Sequence, residues 1–286
     1  MFNSFSKSIL FAPLLSLLLG GVLVVSCGDD DNDEDVQTSS SNQNGGNNGG
    51  SNGSGSENDF PGKVYTVNGV SFKMIAVKGG TFQMGSDDGY EWEKPVHQVT
   101  LSDYYIGETE VTQELWTAVM GSNPPKFTGN MQRPVEMVSW NDCQTFISKL
   151  NELTGETFRL PTEAQWEYAA RGGNKSKGYI YSGSDAIDVV AWYNINSGGM
   201  THPVKTKVPN ELGIYDMTGN VYEWCSDWKG SYSSAAQTDP TGPATGSARV
   251  IRGGGWGSDA TYCRVASRGS STPTFSYTSL GLRLAY

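Results

Sequence analysis

Apolar positions fall along this chain in three regimes. Residues 9–25 form a nearly continuous apolar run preceded by Lys7. Residues 27–59 have almost no apolar position. They open with Gly28-Asp29-Asp30-Asp31-Asn32-Asp33-Glu34-Asp35 and continue as a Ser/Asn/Gly tract. From residue 60 the apolar positions return with local periods. Residues 64–84 alternate short apolar runs with Asn-Gly and Gly-Gly, which predicts a hairpin of strands. Ser139-Trp140-Asn141-Asp142 reads as a capping box, and Phe146, Ile147, Leu150 and Leu153 follow it at helical spacing. Thr162-Glu163-Ala164-Gln165 is a second such start. Trp166, Ala169 and Ala170 form its buried face, and Gly172-Gly173 forms its stop. A third, shorter helix is predicted over residues 112–120. Beyond Arg171 the helical period fades into turns and short strands, with no internal repeat.

The first regime is an address. A cationic start, an apolar core and small residues before a cut describe a secretory signal over residues 1–26. Val24-Val25-Ser26-Cys27 resembles the lipobox of bacterial lipoproteins, with Cys27 lipidated as the mature N-terminus. An uncleaved membrane anchor needs about 20 apolar residues, slightly more than this run supplies. The second regime, residues 27–59, cannot bury a core and reads as a disordered tether of roughly 30 Å reach. Its acidic run is either a solvated spacer or a surface-export signal. The expected location is the outer membrane, lipid-anchored and cell-surface exposed. The expected membrane contact is through the lipid alone.

Composition narrows the chemistry of residues 60–286. The chain has 286 residues, 36 of them glycine, and a net charge of -10, so no nucleic-acid partner is expected. Four cysteines and two histidines, His97 and His202 far apart in sequence, disfavour a histidine-rich metal site.

Several motifs then occur in a fixed order. They are Gly79-Gly80-Thr81-Phe82-Gln83-Met84-Gly85-Ser86, Glu108-Thr109-Glu110-Val111-Thr112 and Pro134-Val135-Glu136-Met137-Val138-Ser139-Trp140. Arg159-Leu160-Pro161-Thr162-Glu163-Ala164-Gln165-Trp166-Glu167, residues 213–228, Arg252-Gly253-Gly254-Gly255-Trp256 and Gly281-Leu282-Arg283 follow. In this register the chain resembles the formylglycine-generating, sulfatase-modifying family. The resemblance implies an α+β fold of the C-type lectin-like kind, loop-rich and poor in regular secondary structure.

The resemblance also implies chemistry. A structural calcium would take the Asp216 and Glu223 side chains with the Gly219 and Val221 carbonyls, an oxygen-rich set suited to a hard cation. The plainer alternative is that Asp216 caps a turn and Glu223 pairs with an arginine. A second calcium site of the family would fall near Asn194-Ile195. The family's oxidases hold Cu(I) on two cysteines with four residues between them, after the Arg-Gly-Gly motif. Here those positions are Ser258 and Cys263. A serine hydroxyl is a hard ligand and does not replace a thiolate, so copper and the oxidase reaction are not expected. In an exported chain of this fold, Cys225 should approach the Arg-Gly-Gly loop, which makes a Cys225–Cys263 disulfide the expectation. Cys143 reads as a small buried hydrophobe.

The C-terminal stretch mixes Tyr, Ser, Gly and Asp between framework residues, the composition of adaptable binding loops. It also resembles the variable region of lectin-fold proteins diversified by retroelements. Trp256, Gly257, Ser258, Asp259, Tyr262, Ser270, Phe275, Tyr277 and Thr278 are the expected contacts to a protein or glycan ligand. The favoured function is a non-catalytic, surface-displayed binding module. The alternatives are a formylglycine-generating oxidase and a structural lipoprotein of an envelope or motility complex.

Overall fold

The computed structural model describes residues 61–286; the expected signal segment, Cys27 and the tether lie outside the described residues. The first strands, β1 (Lys63–Val67) and β2 (Val70–Val77), form the expected antiparallel hairpin. It closes at Asn68-Gly69, both at positive φ, as a two-residue hairpin turn demands. The next strand, β3 (Gly80–Met84), does not extend that hairpin. It pairs with β4 (His97–Leu101) in a separate sheet completed by β7 (Gln237–Thr238). The crossing at Gly79 needs glycine, because an added Cβ would lie 2.2 Å from the Leu101 carbonyl oxygen. On its other edge β2 pairs with β5 (Tyr104–Gly107).

The three predicted helices are present. They are α1 (Gln113–Met120), α2 (Trp140–Thr154) and α3 (Glu163–Ala170), and a single-turn α4 (Ile187–Val190) follows. Reciprocal capping boxes start α2 (Ser139 with Asp142) and α3 (Thr162 with Gln165). Left-handed Gly121 and Gly155 end α1 and α2, satisfying last-turn carbonyls that would otherwise be orphaned. Two details differ from the pattern. Leu153, expected on the inner face of α2, is 52 % exposed, because the helix leaves the core in its last turn. All eight residues of α3 are buried, two glutamates among them.

The four-stranded sheet runs β10 (Leu280–Leu282), β6 (Tyr222–Trp228), β8 (Arg249–Arg252), β9 (Arg268–Ser271), with β10 parallel to β6. One core cluster joins α1, α2 and the first hairpin to Trp224 and Leu282. A second joins α3 to β3, β4 and Cys225, and a third gathers Ala191, Tyr193 and Cys263.

Buried ion pairs tie the sequence motifs together. Glu167 of α3 meets Arg252 of β8, Glu163 meets Arg268 at 2.5 Å, and Glu223 meets Arg283 at 2.7 Å. All six side chains are at most 5 % exposed. The two halves of each pair lie about 60 to 105 residues apart in sequence.

Candidate functional site

Two loops carry the expected ligand contacts other than Ser270, which lies in β9; one follows β8 and one joins β9 to β10. They lie against each other. Trp256 Nε1 donates to the Thr278 carbonyl (2.8 Å), and the Tyr222 amide donates to the Ser279 carbonyl (2.7 Å). Trp256 also meets Phe127 edge-on at 5.4 Å, so it serves the framework with Thr278. Gly257 and Asp259 are exposed, and Asp259 accepts a hydrogen bond from Asn194 Nδ2. Tyr262 (41 % exposed), Phe275 (49 %) and Tyr277 (55 %) present their rings to solvent. Phe275 and Tyr277 stack on each other at 6.2 Å.

Ser258 is built into the loop. Its Oγ accepts from the Gly255 amide (3.0 Å) and donates to the Tyr222 hydroxyl (3.1 Å). Cys263 is buried with Ala191 and Tyr193, and burial pushes its thiol up to about 12, so it is protonated at neutral pH. The expected Cys225–Cys263 disulfide is not formed: both are free and buried. The Glu-Trp-Cys and Arg-Gly-Gly segments do approach, since Glu223 pairs with Arg252 across β6 and β8. Cys225 lies in the cluster under α3 and Cys263 in a different one, so the two thiols are not brought together. Cys143 is fully buried, as expected.

Of the expected calcium ligands, the Asp216 and Glu223 carboxylates are close enough to act on each other. Glu223 accepts from Arg283 Nε (3.0 Å) and Nη2 (2.7 Å) and from Trp166 Nε1 (2.6 Å), so the arginine alternative holds for it. Asp216, at positive φ, accepts from the Lys205 amide (2.9 Å). Glu110 accepts from the Val221 amide (3.0 Å) and Asn220 Nδ2 (2.7 Å). Burial pushes Glu110 well above the usual carboxylate range and Asp216 up to about 6. Glu110, Asp216 and Glu223 thus share one buried guanidinium, an excess of negative charge that a divalent cation would relieve. Side chains alone do not make a metal site: among the described residues no group of three His, Cys, Asp or Glu is arranged for one. A cation here must rely on main-chain carbonyls such as those of Gly219 and Val221.

A cleft of about 410 Å³ lies over β6, β8 and β9. Of the expected contacts it includes Tyr262 and Ser270; the others it adds include Trp92, Tyr222, Lys229 and Ile251. Its floor is close-packed, because an added Cβ on Gly269 would meet Ile251 Cγ1 at 3.0 Å. Its rim is aromatic: Tyr90 stacks on Trp92 at 4.7 Å and on Tyr262 at 5.7 Å. The Arg264–Glu93 pair (2.6 Å) ties the turn carrying these rings to the Cys263 loop. The sequence pattern gave no weight to Tyr90, Trp92, Tyr222 or Lys229. Two aromatic residues in a polar, glycine-containing loop were the only available signal for the first pair.

The sulfatase-modifying factor enzyme 1-like domain family matches residues 66–286. The chain is 36% identical over 250 residues to the chaperone protein LppX of Paenibacillus barcinonensis, covering 70% of this chain and 84% of that protein. It is 34% identical over 284 residues to the formylglycine-generating enzyme of Streptomyces coelicolor, covering 74% and 88%. Its fold is also that of Treponema denticola variable protein 1, with a TM-score of 0.74 and 39% identity over 78% of this chain and 98% of that one. Motif order, buried ion pairs and these likenesses agree, and the chain belongs to the sulfatase-modifying factor enzyme 1-like domain family, in its α+β, C-type lectin-like fold.

Proposed function

We propose that this chain is a surface-displayed lipoprotein whose domain binds a protein or glycan through its C-terminal loops and does not oxidise cysteine. One observation carries the reading. At the two positions where the family's oxidases need soft thiolates stand a hydrogen-bonded serine, Ser258, and a buried, protonated thiol, Cys263. The exposed rings of Tyr262, Phe275 and Tyr277 on adjoining loops supply the contact surface that such a module needs. The likeness to a variable protein of Treponema denticola supports assigning binding to these loops.

Structural calcium belongs to the same proposal. It would be held by Asp216 and the Gly219 and Val221 carbonyls, beside the Glu223–Arg283 pair. Cu(I) titration and an oxygen-consumption assay with a cysteine peptide test the central claim. The expected result is no stoichiometric copper and no turnover. Tight one-to-one copper binding with turnover would restore the oxidase reading that the formylglycine-generating relatives favour.

A further inference from the structure

Lys229 follows β6 and lines the aromatic-rimmed cleft. Its Nζ is buried and has no hydrogen-bond partner. The carboxylates that act on it, Glu163 and Glu93, are already held by Arg268 and Arg264. Arg268 and Arg252 act on it in the opposite sense. Lys229 is thus a surplus cation within a set of matched pairs, and burial pulls its ammonium down to about 7. An ammonium in such a place is costly unless an acceptor arrives.

A second donor belongs to a residue lining the same cleft. The Tyr222 oxygen already accepts from Ser258, so its own proton is left for another acceptor, and Tyr222 lines the cleft that Lys229 also lines. Ile251 on the floor and Trp92 and Tyr262 on the rim supply flat apolar walls around the two donors.

We propose that this cleft binds an oxyanion, a carboxylate or sulfate, carried on a flat apolar body, with Lys229 as counter-charge and Tyr222 as hydrogen-bond donor. The proposal rests on the binding-module reading and names the ligand chemistry for one part of its surface. Most of the chain's net charge of -10 lies in residues 1–60, so the folded residues as a whole neither attract nor strongly repel an anion. A local preference for an anion therefore reports the cleft. The position that lacks the family's copper thiolate takes part, because Ser258 orients the Tyr222 donor.

The test titrates the full chain with naphthalene-2-carboxylate, naphthalene-2-sulfonate and neutral 2-naphthamide, followed by calorimetry and amide chemical shifts. At least one anion should bind about 30-fold more tightly than the amide, as a hydrogen bond to a buried charge warrants. The stronger of the two anions identifies the oxyanion. Lys229→Met should abolish that preference while leaving the unfolding midpoint unchanged or raised. Tyr222→Phe should weaken the anion a few-fold and leave the amide unaffected. Equal affinity for anion and amide, no binding of any probe, or a preference that survives Lys229→Met would overturn the proposal. If the amide alone shifts Tyr262 and Ser270, the anion site is gone and the binding loops remain. The binding-module reading fails separately, on copper-dependent turnover.

Discussion

At position 258 a hydroxyl stands where a soft metal would need sulfur, and its two hydrogen bonds show what it does instead. It closes the turn at Gly255 and fixes Tyr222. The buried pairs have the same single-residue sharpness. Arg283 satisfies Glu223 and also donates to the Gly107 (2.9 Å) and Tyr215 (2.8 Å) carbonyls, all out of water. Arg283→Met would leave the Glu223 charge with Trp166 as its remaining donor. The expected cost is about 3–5 kcal/mol in urea unfolding, the usual loss when half of a buried pair is removed. A loss below about 1 kcal/mol would show that the pair does not hold the motifs together.

Among the helices, α3 is the most deeply buried, and its start is joined to β6. The Glu163 amide, the first of the helix, donates to Asp227 Oδ2 at 3.0 Å. Burial, reinforced by the Glu163 carboxylate, pushes Asp227 up to about 7. A folded-state value above the unfolded one means that its contribution to stability is full below the ordinary aspartate range. That contribution is lost as pH rises from about 4 through about 7. Asp227→Asn keeps an acceptor for the amide and does not ionise. Its stability relative to the parent should therefore improve by a few kcal/mol at most across that window, read from denaturant midpoints at several pH values. Parallel curves for the two proteins would show that Asp227 does not titrate there.

For the whole molecule, the short strands and few helices leave long loops fixed by buried polar groups. The excess of carboxylate around Arg283 is where a bound cation would matter most. Calcium removal by chelation should lower the thermal midpoint by about 5 °C, and millimolar calcium should restore it while magnesium should not. Identical midpoints with chelator and with calcium would exclude a structural role for the ion.

Local sequence determined the helices and the first turn, because their stop and start signals act within four residues. Ser139 with Asp142, Thr162 with Gln165, and Asn68-Gly69 need no distant partner. Motif order likewise marked the family, since every residue of the buried pairs except Arg268 sits inside a motif. Which glutamate meets which arginine, and why Glu223 turns to Arg283, depended on strands that pair far apart in sequence. The same holds for the cysteines. Residues 225 and 263 lie on neighbouring segments, yet the packing of two separate clusters decided that their thiols do not meet. Tertiary structure alone set Lys229 in one cleft with Trp92 and Tyr262, because an unpartnered charge is defined by everything folded around it.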